Sequence, residues 1–86
     1  MNTVKYKVTV RHCSHVRYER PKIQSTYQFT VEAPDHSHGA KIAAQGTGMP
    51  KSLRSIGQGY WTNRVEEWPE NGRKNYTEWS VQRIWK

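Results

Sequence analysis

A strict alternation of apolar and polar side chains runs through Val4-Lys5-Tyr6-Lys7-Val8-Thr9-Val10-Arg11 near the start of the chain. The three valines and the tyrosine fall on one face, and the polar residues fall on the other. A period of two with β-branched residues on one side is typical of a half-buried β-strand. We therefore expect a strand over residues 4–11.

The same period returns in residues 23–33. One face would carry Ile23, Ser25, Tyr27, Phe29, Val31 and Ala33, while Gln24, Thr26, Gln28, Thr30 and Glu32 would form the other. Two strands that each have one apolar and one wet face predict an antiparallel sheet that is covered on one side. Residues 12–22 then form the tip of a long hairpin, where Pro21, which has no N–H group, suits a loop or an edge.

Residues 35–46 predict a short helix. Asp35 or Ser37 could cap its N-terminus, and Gly46 could end it in a left-handed conformation. Residues 46–59 contain repeated glycines and predict a flexible loop, with a further helical turn possible over residues 50–55.

Tyr60–Trp68 and Tyr76–Trp85 predict a final hairpin. The intervening Asn71-Gly72 pair is a strong turn signal when aromatic strands flank it. In the second of these strands, Trp79, Val81 and Trp85 would share one face.

The whole pattern predicts an α+β fold in which residues 1–86 form a single domain. Its order is β-β-α-β-β, with a four- or five-stranded antiparallel sheet and one short helix on one face. The chain has 86 residues, and a domain of this size holds a thin core but little room for a deep active-site cavity. Four Trp, five Tyr and one Phe supply large apolar surfaces for that core.

The charge is strongly basic and unevenly distributed. Fourteen Lys and Arg residues oppose seven Asp and Glu residues, which gives a net charge of +7. Residues 1–30 hold six of these cations and a single Glu, so the first hairpin is the most basic part of the chain. Nucleic acid, an acidic protein or an anionic membrane surface are the natural partners of such charge, and plain solubility is the alternative.

The chain has a single cysteine, Cys13, so an intrachain disulfide is impossible and a reducing cytosol is expected. The N-terminus lacks the apolar segment of a secretion signal, and no stretch approaches 18 apolar residues. These features predict a cytoplasmic protein that does not span a membrane.

Candidate binding residues cluster in the first hairpin. Guanidinium groups bind phosphate in a bidentate manner, and tyrosine can stack on a base. The predicted binding set is Lys5, Lys7, Arg11, Arg17, Tyr18, Arg20 and Lys22. A secondary set near the last hairpin is Trp68, Arg73, Lys74 and Trp85, since exposed tryptophan beside arginine is typical of binding surfaces.

The sequence predicts neither a metal site nor a catalytic site. Cys13 with His15, and His36 with His38, could each present two ligands on one side of a strand, but their spacing matches no established zinc motif and we expect no metal or other cofactor. His12 belongs to the same histidine-rich segment. Neighbouring Glu66 and Glu67 would point to opposite faces of a strand, so they would not form a catalytic pair. We therefore expect no catalytic residues and a protein that is not an enzyme.

Residues 27–33, Tyr-Gln-Phe-Thr-Val-Glu-Ala, followed by residues 40–44, Ala-Lys-Ile-Ala-Ala, resemble a strand-then-helix unit of small phage proteins, including some anti-CRISPR proteins. The resemblance covers about twenty residues and transfers no binding or catalytic residue. It implies a phage or mobile-element origin and a role in blocking a host machine.

The sequence thus predicts a small basic protein that binds nucleic acid or a nucleic-acid-handling complex. Electrostatic capture by the first hairpin would be refined by aromatic contacts. A protein–protein inhibitor of a host machine is the first alternative, and a small metal-free ribonuclease is the second.

Overall fold

One five-stranded antiparallel sheet and one helix make up the fold, in a computed structural model that describes residues 2–84. The strands lie side by side in the order β2-β1-β5-β4-β3, so the predicted α+β class with its antiparallel sheet is confirmed. Residues 2–84 contain one strand more than the predicted β-β-α-β-β order. The elements are β1 (Thr3–Val16), β2 (Lys22–Pro34), α1 (Gly39–Gly46), β3 (Arg54–Gly57), β4 (Tyr60–Thr62) and β5 (Arg73–Arg83).

The long central strand β1 sets the dimensions of the molecule. It pairs with β2 from Thr3 opposite Pro34 to Ser14 opposite Lys22, and on its other side it pairs with β5. A bulge at Gln24 interrupts the β1–β2 register and places Ile23 opposite Cys13, so Ile23 does not share the face of Tyr27 as the alternation predicted. Its 14 residues span roughly 46 Å at about 3.3 Å per residue. The molecule accordingly measures 49 × 21 × 18 Å.

The core lies between the sheet and α1. Tyr6, Val8 and Val10 alternate along β1 and are buried, as the sequence pattern predicts. We call this side of the sheet the helix face, because α1 packs on it. The buried side chains that complete the core are Ala33, Ala43, Ala44, Met49, Trp61 and Trp79.

The ends of α1 differ from the expected caps. The helix begins at Gly39 after His38, which makes no capping hydrogen bond, so neither Asp35 nor Ser37 is the N-cap. A Cβ atom at Gly39 would clash with the carbonyl oxygen of Pro34, which explains why glycine occupies this position. Gly46 is still helical, and the positive φ of +100° falls at Gly48 instead.

The second half of the chain departs most from the prediction. The expected strand over residues 60–68 ends at Thr62, and residues 54–57, expected to be loop or helical turn, form β3. Gly72 does adopt a positive φ of 67° and closes a turn by donating its N–H to the carbonyl of Pro69 at 2.9 Å. However, β5 begins directly after this turn by pairing with Val16 of β1. The Asn71-Gly72 turn therefore does not set the register between β4 and β5.

The apolar face of β2 is only partly covered. Ala33 is buried and Val31 is half-buried, but Tyr27 and Phe29 stay 52% and 43% exposed. The eight-residue helix α1 is only about 12 Å long at 1.5 Å per residue, whereas β2 spans roughly 43 Å at 3.3 Å per residue. A helix this short covers one end of the sheet and leaves the rest of β2 open.

Candidate functional site

The β1–β2 hairpin ends in a tight turn that projects the predicted binding residues into solvent. The N–H of Glu19 donates to the carbonyl of Val16 at 3.0 Å, and the N–H of Arg17 donates to the carbonyl of Gly72 at 2.8 Å. Tyr18, between them, has a φ of 68° and is 91% exposed. A bulky residue at positive φ with this exposure buries little surface that could offset its backbone strain.

Cations surround this tyrosine. The guanidinium carbon of Arg17 lies 5.1 Å from the centroid of the Tyr18 ring, and Arg20 and Lys22 are exposed in the residues that follow. Arg73 is also exposed and lies opposite Val16, so it joins the same end of the sheet. We call Arg17, Tyr18, Arg20, Lys22 and Arg73 the basic tip. Within residues 2–84, none of its four cations forms an ion pair with a carboxylate within 4 Å.

The remaining predicted cations lie elsewhere. Lys5, Lys7 and Arg11 alternate with the core residues of β1 and therefore point away from α1, on what we call the open face. Lys7 is ten residues from Arg17, or roughly 33 Å at about 3.3 Å per residue. The seven predicted residues thus form two separate groups rather than one site.

The open face is less basic than its three cations suggest. Glu32 lies opposite Lys5 in the β1–β2 register, and Glu78 lies opposite Arg11 in the β1–β5 register. Each carboxylate offsets part of the positive potential of its neighbour. At the basic tip, by contrast, four cations face a single carboxylate within the turn, that of Glu19.

The residues of the secondary set predicted near the last hairpin do not form one exposed site. Lys74 is buried, with only 6% of its surface exposed. Its ammonium donates to the carbonyls of Val65 and Glu66 at 2.6 and 2.8 Å and lies 4.3 Å from the centroid of Trp68. Lys74 and Trp68 consequently hold the loop over residues 63–72 in place and are not free to contact a partner. Trp85 lies outside the described residues.

A polar cluster that sequence reasoning missed surrounds Lys74 on the open face. His15 packs edge-on against Trp68 at a centroid distance of 4.8 Å, and the Arg64 guanidinium lies 5.1 Å from the centroid of the buried Tyr76. Lys74 and Tyr76 are two residues apart and lie on the same side of β5, and this spacing was the sequence signal for the cluster. The loop that covers them is positioned by tertiary contacts, which the spacing does not reveal.

Cys13 belongs to this cluster and is buried. Burial, reinforced by the nearby Glu78 carboxylate, raises the pKa of the Cys13 thiol. Burial likewise raises the pKa of Tyr76. Since only the thiolate is a good nucleophile, this environment makes Cys13 an inert structural thiol.

The two candidate metal pairs lie far apart. His36 follows Pro34, which lies opposite Thr3, whereas Cys13 is ten residues further along β1, roughly 33 Å away at 3.3 Å per residue. His15 Nε2 lies 2.6 Å from the carbonyl oxygen of Glu19 and is thereby engaged. In the part of the chain that the structure describes, no three His, Cys, Asp or Glu side chains are grouped to hold a metal ion.

Comparison with known proteins assigns the chain to no family. The chain significantly matches no protein-family model, no curated protein and no solved structure. Among residues 2–84, no helix is long and apolar enough to cross a membrane.

Proposed function

We propose that this chain is a non-enzymatic nucleic-acid-binding protein that captures phosphate groups with the basic tip. The observation that carries the proposal is the group of four exposed cations around an exposed tyrosine at the end of a long hairpin. Arginine contacts phosphate through two parallel hydrogen bonds, and a tyrosine ring can stack on a base. The basic tip offers both kinds of contact at one point.

A binding role explains the basic tip better than the alternative that its cations are merely solvated. Exposed cations on a soluble protein are ordinary, but a strained tyrosine in full solvent is not. Tyr18 adopts a strained backbone conformation at a position where its ring packs only against Arg17. Strain that is not recovered by packing is typical of residues kept for function.

The first experiment neutralises the tip. Replacing Arg17, Arg20 and Lys22 together by Gln should weaken binding to duplex DNA or single-stranded RNA at least tenfold, or about 1.4 kcal/mol, as measured by fluorescence anisotropy. Stability should change by less than about 0.5 kcal/mol per exposed site.

A matched control removes the same charge elsewhere. Lys41, Lys51 and Arg54 are exposed on α1, in the following turn and on β3, and their joint replacement by Gln should cost much less binding. Equal losses in the two triple variants would show that net charge, rather than the basic tip, governs binding.

A second variant separates stacking from charge. Tyr18→Gly relieves the positive φ and should leave the free energy of unfolding unchanged or higher. Binding to single-stranded RNA should nevertheless weaken, because a stacked base contributes about 1–3 kcal/mol. Wild-type protein that binds neither DNA nor RNA at low salt would contradict the proposal and favour the protein–protein inhibitor.

A further inference from the structure

Strand β2 forms an unusually open edge of the sheet. It has 13 residues and pairs only with β1 among the described residues. Natural edge strands are usually short or carry charges and prolines that prevent pairing with another chain. The opposite edge, β3, follows this rule with four residues that include Arg54. In β2 the bulge at Gln24 interrupts one end of the strand, but residues 25–31 contain no bulge, charge or proline.

Exposed apolar side chains accompany this edge. Tyr27 and Phe29 lie opposite Val10 and Val8, so their rings stand on the helix face beside the core. Ile42 of α1 is 41% exposed. Ile42 lies one helical turn before Gly46, and a Cβ atom at Gly46 would lie 3.7 Å from Cγ1 of Val31 on β2. Ile42 therefore lies on the side of α1 that faces β2 and extends the apolar stripe along the same edge.

We propose that β2 pairs with β2 of a second copy, antiparallel, about a two-fold axis that passes through Tyr27. This register places the two Tyr27 residues opposite each other and each Phe29 opposite the small Ser25 of the second copy. Opposite residues of an antiparallel pair lie on the same face. The register therefore produces a continuous aromatic stripe without two large rings competing for one space.

The centre of β2 is electrically neutral and self-complementary in size. Residues 24–30 carry no charge, so pairing about Tyr27 brings no like charges together. The only cation of the strand, Lys22, and its only anion, Glu32, lie on opposite faces because of the bulge at Gln24, and they contribute no ion pair. A neutral strand that sets its Phe29 against its own small Ser25 favours a second copy of the chain over an unrelated strand.

Such a dimer would join two sheets into one of ten strands. The two-fold axis is perpendicular to the sheet, so both helix faces lie on one side and the two basic tips point to opposite ends. The dimer packs the rings of Tyr27 and Phe29, which the single chain leaves exposed, against side chains of the second copy on the same face.

Sedimentation equilibrium of the full chain tests the proposal. We expect a reversible dimer, and Tyr27→Lys should weaken it at least tenfold because it places two ammonium groups opposite each other on the axis. The control is Ile56→Lys, which adds the same charge at a 50% exposed position on β3 and should leave the dimer intact. Circular dichroism verifies that both variants fold. A wild-type chain that stays monomeric at millimolar concentration, or a dimer that tolerates Tyr27→Lys, would overturn the proposal.

Disulfide trapping tests the register. Directly opposite residues have Cα atoms about 4.5–5.5 Å apart, which lies within the range that a disulfide requires. Tyr27→Cys should therefore form an interchain disulfide under mild oxidation. Thr30→Cys should not, since three residues on either side of the axis separate the two thiols by roughly 20 Å, and the native Cys13 is buried. Faster trapping of Thr30→Cys would contradict pairing about Tyr27.

Discussion

Individual side chains in this protein have roles that their residue type does not reveal. Lys74 and Arg73 are neighbours in the sequence, yet Arg73 is exposed and Lys74 is buried. The ammonium of Lys74 satisfies two backbone carbonyls of the loop over residues 63–72 and lies against Trp68. A lysine placed in this way stabilises a loop that has little regular structure of its own.

Lys74→Met tests this role. The substitution keeps the aliphatic stem but leaves the carbonyls of Val65 and Glu66 without their donor, so the free energy of unfolding should fall by about 1–3 kcal/mol. Urea unfolding followed by tryptophan fluorescence measures the change. Lys41→Met, at an exposed position of α1, is the control and should shift stability by less than about 0.5 kcal/mol. Equal effects of the two substitutions would show that the Lys74 contacts contribute nothing to stability.

At the scale of secondary-structure elements, the β3–β4 hairpin depends on one glycine. Gly59 has a φ of +74°, and a Cβ atom there would lie 2.7 Å from the carbonyl oxygen of Val81. The N–H of Val81 also donates to the carbonyl of Gly59 at 2.8 Å, which ties this hairpin to β5. Both the backbone conformation and the close contact therefore require glycine.

Gly59→Ala should destabilise the protein by more than about 1 kcal/mol. The matched control is Gly57→Ala in the same hairpin, where a Cβ atom meets nothing within 4 Å and φ is not positive. Thermal unfolding of the two variants should give a clearly lower Tm for Gly59→Ala alone. A similar Tm for both would mean that the hairpin adjusts without cost.

For the whole molecule, the net charge of +7 acts in opposite directions on the two proposed interactions. Binding to a phosphate backbone releases counterions and weakens as salt rises. Two copies of a cationic chain repel each other, and salt screens this repulsion.

Raising the salt concentration from 50 to 300 mM should therefore weaken nucleic-acid binding steeply while it strengthens dimerisation. Anisotropy titrations and sedimentation equilibrium in the same buffers measure the two effects separately. Neutralising Arg17, Arg20 and Lys22 should reduce the slope of log affinity against log salt by roughly two to three units. Nucleic-acid affinity that does not depend on salt would exclude capture by the basic tip, and a dimer that weakens with salt would indicate that ionic contacts rather than the neutral strand hold it.

Local sequence patterns predicted residues 4–11 of β1, the pairing of this strand with β2, the short helix and the exposed cationic hairpin end, although β1 continues to Val16. These features follow from local rules, because alternation specifies a strand and unpaired cations remain in water. Even the positive φ of Gly72 was readable from the Asn71-Gly72 pair.

Contacts between residues distant in sequence determine how residues 46–72 are arranged and which cations are exposed. Alternation assigns Lys74 to one side of a strand, but whether a loop covers that side depends on contacts with Trp68, His15 and the Val65 carbonyl. Likewise, the apolar pattern of β2 predicts burial at every second position, yet Tyr27 and Phe29 stay exposed because α1 is too short to reach them. Burial depends on what packs against a face, and residues distant in sequence supply that.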